Sequence, residues 1–130
     1  NTMLKLMKEK DSLSIIDDQI GSPTFSNDIA NTIYKIINHL SQNSDFSDFG
    51  IYHFSNLGFI SWFQFAVAIK EIMNFDCTLK PITSEDYPTK AKRPKNSKLN
   101  KSKIQNIFNV DLIDWRTSLE RMLEAKKQDF

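Results

Sequence analysis

The sequence predicts a mixed α/β fold, and three observations carry that prediction. Residues 26–40 place Ile29, Ile33, Ile36, Ile37 and Leu40 at helical spacing, the pattern of an amphipathic helix. Residues 13–17 and 50–54 are short runs rich in β-branched or aromatic side chains, bounded by polar and glycine positions, as strands are. Helical and extended segments alternate along the chain, which favours α/β or α+β over an all-helical bundle.

The elements follow in order. Met3, Leu4, Leu6 and Met7 give a short helix that ends near Asp11, and Leu13–Asp17 reads as a strand. The loop 18–24 precedes the helix over 26–40, where Asp28 complements the dipole from the first turn. Polar residues 41–48 connect to a predicted strand at Gly50–Phe54. Ser61-Trp62-Phe63-Gln64 has the form of a capping box, opening a helix to about Asn74 with Phe65, Ala66, Ile69, Ile72 and Met73 core-facing. The spacing also makes Trp62 and Phe63 core residues rather than a stacking platform. Leu79–Ile82 is a short strand that Pro81 confines to an edge or a strand end. Asn100 and Asp114 are placed to cap two closing helices, the first with Ile104, Ile107 and Phe108, the second with Trp115, Leu119, Met122 and Leu123.

A chain of 130 residues with 40% hydrophobic and 25% charged residues can bury one domain's core without staples. The lone Cys77 has no internal disulfide partner, which fits a reducing compartment. No apolar run is long enough to span a bilayer and no signal-peptide pattern opens the chain, so the expectation is a cytoplasmic protein. The chain enters helical periodicity at Thr2 without an initiator methionine, which suggests a piece of a longer protein.

Charge is concentrated in one place. Seven of the seventeen basic residues (Lys90, Lys92, Arg93, Lys95, Lys98, Lys101, Lys103) and none of the sixteen acidic ones fall between Thr89 and Lys103. Pro88 and Pro94 bias Tyr87 and Arg93 towards extended backbone, and a planar arginine fork on a stiff path suits phosphate better than lysine does. A solvated lysine-rich loop is the alternative. The loop 17–24 has a similar ambivalence: a glutamine, a glycine permitting close approach and a proline-fixed turn directly after a strand fit a ligand site, but equally fit a plain connection.

Other chemistries find little support. Three glycines, at 21, 50 and 58, cannot build a dinucleotide turn or a P-loop. His39, His53 and Cys77 are not at metal-ligand spacing, and the adjacent pairs Asp17-Asp18 and Glu85-Asp86 lack the two differently tuned environments of an acid/base couple.

The runs Thr2-Met3-Leu4-Lys5-Leu6, Leu13-Ser14-Ile15-Ile16-Asp17-Asp18-Gln19-Ile20-Gly21-Ser22-Pro23-Thr24, Gly50-Ile51-Tyr52-His53, Ser61-Trp62-Phe63-Gln64-Phe65-Ala66, Tyr87-Pro88-Thr89 and Arg93-Pro94-Lys95-Asn96-Ser97-Lys98-Leu99 together resemble the C-terminal part of the dTDP-4-dehydrorhamnose reductases. Trp115-Arg116 with Leu119, Met122 and Leu123 resembles that family's closing helix. The resemblance implies the C-terminal part of an extended short-chain dehydrogenase/reductase fold that lacks most of the Rossmann domain. The implied activity is NADPH-dependent reduction of dTDP-4-dehydro-6-deoxy-L-mannose to dTDP-L-rhamnose, in polysaccharide biosynthesis. It implies that Arg93 faces the diphosphate of the dTDP-sugar with Asn96 and Ser97 close by, and that the loop carrying Gln19, Gly21, Pro23 and Thr24 lines the same cleft. It implies further that residues 26–54 pack on the missing Rossmann half, which carries the NADPH site. A Tyr-x-x-x-Lys pair is absent: Tyr34, Tyr52 and Tyr87 are followed four residues on by Asn38, Asn56 and Ala91. The residues present are therefore expected to bind nucleotide-sugar and to be inactive alone. A magnesium ion in the full-length family and a homodimer are left open.

Two competing readings come from other classes. One is a non-catalytic relative of the same fold, of the methionine adenosyltransferase regulatory-subunit type. The other is a small nucleic-acid-binding module, disfavoured because the cations occupy one loop rather than a whole face.

Overall fold

The computed structural model describes residues 2–87, 89, 91 and 93–126. Pro88, Lys90 and Lys92 of the basic stretch, and Asn1, lie outside the described residues.

Short-range pattern and long-range pairing agree in the first layer. Helix α1 (Thr2–Glu9) buries Leu4 and Met7, one turn apart as a single-faced helix requires. Strand β1 (Ser12–Ile16) then alternates, with Leu13 and Ile15 inward. Its partner β4 (Thr78–Ile82) runs parallel to it, Ser12 opposite Thr78 and Ile16 opposite Ile82. Among the described residues the sheet has two strands, so β4 is an edge there, and an edge strand tolerates the missing N–H of Pro81.

Helix α3 (Trp62–Met73) covers this sheet. Its start is fixed by the reciprocal bonds of a capping box between Ser61 and Gln64, and its end by Asn74 in the left-handed region at φ 53°. Helix α5 (Trp115–Lys126) packs on α3, with Asp114 Oδ1 accepting the Arg116 N–H at 2.8 Å. The core between them holds Leu4, Leu13, Ile15, Ala66, Ile69 and Leu123. Leu123 is fully buried, worth about 1.5–3 kcal/mol by removal from water.

A second, smaller core joins α2 (Ser26–Gln42) to α4 (Ser102–Phe108). Ile104, Phe108 and Val110 are buried there against Ile36, Leu40, Phe46, Tyr52 and Phe54. Phe108 stacks on Phe46 at 5.5 Å and meets the His39 ring edge-on at 5.3 Å, so His39 is packed among aromatics.

The structure corrects three sequence expectations here. Residues 50–54 form no strand: Tyr52 and Phe54 do turn inward, but no described segment lies alongside to supply ladder hydrogen bonds. The α2 stripe divides, because Ile36 and Leu40 pack while Ile29, Ile33, Tyr34 and Ile37 are exposed. The N-cap of α4 is Lys101 rather than Asn100; Asn100 Oδ1 nonetheless accepts the Ser102 N–H at 2.9 Å, which satisfies an orphan donor from one residue further back.

Candidate ligand cleft

Strand β2 (Ile20–Gly21) organises the cleft by pairing on both edges. On one side it is antiparallel to β3 (Ile60–Ser61). On the other, the Ile20 N–H donates to Lys95 O and the Ser97 N–H donates to Ile20 O, both at 2.9 Å. The basic segment is thereby tied to β2 through a single parallel bridge between Ile20 and Asn96. Gly21 permits the approach, since a Cβ there would lie 2.7 Å from Ser97 Oγ.

Asp18 fastens the same segment from outside. Its Oδ1 accepts both the N–H and the hydroxyl of Ser84, and its Oδ2 lies 3.4 Å from Lys95 Nζ. The Ser84 bonds, with Lys95 adding to them, hold the Asp18 carboxyl below its usual range despite an opposing cost of desolvation. Asp17 takes the Ser61 hydroxyl. The adjacent acidic pair thus serves to tie loops together.

Between these strands lies a cleft of about 250 Å³ lined by Gln19, Ile20, Gly21, Ser22, Pro23, Ile60, Ser61, Trp62, Arg93, Pro94 and Ser97. Of the seven residues expected to bind substrate, Gln19, Gly21, Pro23, Arg93 and Ser97 are brought together here. The other two are placed elsewhere. Thr24 lines a separate, mostly apolar cavity of about 340 Å³ with Phe25, Phe65, Trp115 and Met122, and Asn96 uses its Oδ1 on the Lys98 N–H at 3.0 Å. Arg93 is exposed and has no hydrogen bond or ion pair with any described residue, whereas its neighbour Lys95 is engaged with Asp18.

The cleft's other wall is fixed from below. Ser22 Oγ donates to Gly58 O at 2.8 Å. Gly58 sits at φ +91°, where a Cβ would come within 2.3 Å of the Trp115 ring. Next to it, the Leu57 N–H donates to Ile113 O and the Trp115 N–H to Leu57 O, stapling the start of α5 to the segment that carries β3. Lys101 is buried beside this segment, donating to Asn56 O at 3.0 Å and Ser55 Oγ at 3.3 Å; burial pushes its pKa down.

Sequence reasoning missed Ile60 and Ser61 as lining, and misplaced Trp62. Trp62 is 49% exposed, because as the first residue of α3 it has no preceding turn to pack on. Its place directly after a capping serine was the signal available.

Gly21, Gly50 and Gly58 lie on separate segments, and Gly21 is closed over by Ser97. Among the described residues, no three His, Cys, Asp or Glu side chains gather as a metal site, and no helix is long and apolar enough to cross a membrane.

The chain is similar to known proteins over nearly its whole length. A family model described as RmlD substrate binding domain matches residues 1–128. The chain is 39% identical over 127 residues to a dTDP-4-dehydrorhamnose reductase of Aggregatibacter actinomycetemcomitans, covering 93% of this chain and 43% of that protein. It superimposes with a TM-score of 0.84 and 36% identity on a dTDP-4-dehydrorhamnose reductase of Bacillus anthracis solved in complex with NADP, and with the same TM-score and 32% identity on one from Clostridium acetobutylicum. In both, 95% of this chain and 42% of the solved chain are covered. The chain therefore spans less than half the length of the relatives it matches.

Proposed function

The chain belongs to the RmlD substrate-binding domain family, and we propose that it supplies the nucleotide-sugar side of an NADPH-dependent reductase that converts dTDP-4-dehydrorhamnose to dTDP-L-rhamnose. One observation carries the reading most directly: Arg93 lines a cleft with its guanidinium unengaged by any described acid, while the loop around it is fixed by Asp18, Ser84 and the β2 pairing. An arginine left without an acidic partner is what a diphosphate requires. The names of the relatives supply the reaction.

In this reading the chain's own residues bind and orient. Arg93 takes diphosphate charge, Gln19 and Ser97 meet neutral polar groups, and the bridge between Ile20 and Asn96 keeps both walls in register. Hydride and proton come from a bound NADPH and a Tyr-x-x-x-Lys pair held by the remainder of the protein, and residues 26–54 pack on that remainder, covering Ile29, Ile33 and Ile37. The 130 residues alone hold nucleotide-sugar and reduce nothing.

The test is calorimetric titration of the 130-residue chain and of the full-length protein with dTDP-L-rhamnose and with NADPH. Both should bind the sugar nucleotide, and only the full-length protein should bind NADPH. Micromolar NADPH affinity in the 130 residues, or no dTDP-sugar binding by either, overturns the assignment.

A further inference from the structure

Lys101 breaks two local rules at once. As the N-cap of α4 it offers the helix no side-chain acceptor and puts a cation where the helix dipole disfavours one. Its side chain is also buried, with the residue 7% exposed, and no carboxylate pairs with it among the described residues. A buried ammonium without a counterion is costly. A residue unfavourable on several local counts is expected where function requires it.

The contacts of Lys101 indicate what it serves. Its Nζ donates to Asn56 O at 3.0 Å and to Ser55 Oγ at 3.3 Å, and lies 5.0 Å from the centre of the Phe59 ring, over which Lys98 Nζ stands at 4.9 Å. Lysine side chains thus hold residues 98–101 on the 55–59 segment. The front of the same stretch is held by β2, where Lys95 O and the Ser97 N–H meet Ile20. Ser22, directly after β2, donates to Gly58 O. The ties therefore run in a closed circuit: from β2 to residues 95–97, along the chain to Lys101, across to Asn56, on to Gly58 and back through Ser22. The cleft is lined from this circuit, by Ile20, Gly21 and Ser22 on one arm and by Ser97, with Arg93 just before it, on the other.

We propose that Lys101 is a positioning residue, whose buried ammonium closes this circuit and sets the distance between the basic segment carrying Arg93 and the cleft floor at residues 56–58. Lys101 itself touches no ligand. Asn56 is fixed independently by bonds to Phe25, Asp28 and Ser118, so when the Lys101 tie is lost it is the basic segment that shifts. The inference rests on the function proposed above, because that distance matters only if Arg93 meets an anion in the cleft.

The experiment compares full-length wild type, Lys101→Met, Arg93→Ala and the double variant by calorimetric titration with dTDP-L-rhamnose and by urea denaturation. Methionine keeps the apolar stem and removes the ammonium, and the partners left behind remain paired, since Ser55 Oγ donates to Asn56 O at 3.4 Å. Lys101→Met should raise the Kd on the order of tenfold through lost preorganisation. Its stability should be unchanged or higher, because a buried charge without a counterion has been removed. On the Arg93→Ala background the same substitution should add less than about twofold, since the group it positions is gone. Stability that falls in step with binding, or failure to fold, shows a structural role and overturns the proposal. An unchanged Kd in Lys101→Met, or equal losses with and without Arg93, overturns it as well. In each of these cases an impaired Arg93→Ala leaves the functional reading intact, whereas an Arg93→Ala protein that binds as tightly as wild type brings that reading down too.

Discussion

Asn56 donates from Nδ2 to Asp28 Oδ2 at 2.7 Å across a site in which Asn56 is fully buried and Asp28 is 3% exposed. The same amide bridges three segments: its Oδ1 accepts the Phe25 N–H at 3.0 Å and its Nδ2 reaches Ile113 O at 3.1 Å. Ser118 and Arg121 complete the surroundings of the carboxylate.

Asn56→Ala should therefore destabilise the chain by about 3 kcal/mol, the scale of leaving a buried charge short of partners. Urea denaturation gives the difference directly. A loss under 1 kcal/mol would mean that Ser118 and Arg121 suffice for Asp28.

Gly58→Ala meets two obstacles, a positive φ and a Trp115 ring 2.3 Å from the new carbon, and should cost about 2–4 kcal/mol. Adding Trp115→Leu should recover the steric part and leave the conformational part. A double-mutant cycle measures the split, and strict additivity would show that the two residues do not press on one another.

Arg93→Ala should raise the Kd for the dTDP-sugar on the order of ten- to a hundredfold, the value of roughly 1.5–3 kcal/mol for a charge-assisted bond, with NADPH affinity unchanged. Lys95→Ala should do much less, because Lys95 is engaged with Asp18. Equal, small effects would return the basic segment to a solvated loop.

The Asp18 carboxyl is held below its usual range by Ser84 and Lys95. A depressed carboxylate contributes stability that is fully present above the unfolded pKa, near 3.9, and is lost as pH falls through the lower folded value. The thermal-midpoint gap between the wild type and Asp18→Asn should be constant at neutral pH and close only at pH below about 4. A gap that closes near pH 6 would assign the effect to another group.

Ile29, Ile33, Tyr34 and Ile37 are all at least 40% exposed along one helix, and an apolar stripe of this kind is rarely left bare in a monomer. The 130-residue chain should self-associate in light scattering across a concentration series, and Ile33→Lys should shift it to monomer. A wild type that stays monomeric at high concentration refutes the expectation.

The elements that local chemistry determines were legible in the sequence. The Ser61–Gln64 capping box, the α2 periodicity and the confinement of Pro81 to an edge each depend on neighbours within a turn or on one missing N–H. What was not legible depends on partners distant in sequence. The 50–54 segment has strand-like alternation but finds no ladder, and nothing in those residues reports whether an edge awaits them. Trp62 has core chemistry, yet its position at the first turn leaves it at the cleft. The five cleft residues anticipated share loops with motif character, while Ser61 looks like an ordinary cap residue until β2 and β3 pair. Thr24, one residue past Pro23, faces the other cavity, a turn that composition does not encode.

The stapling of Leu57 to Ile113 and Trp115 has a consequence for synthesis of the chain. The cleft draws on residues 17–23, 60–62 and 93–97, and its floor at Gly58 is braced by Ile113 and Trp115, which leave the ribosome after all of these. Non-local closures of this kind are slow relative to helix formation. The nascent chain carries α1, α2 and α3 well before it has a floor for its ligand, so nucleotide cannot act as a template for early folding and can only trap the finished cleft.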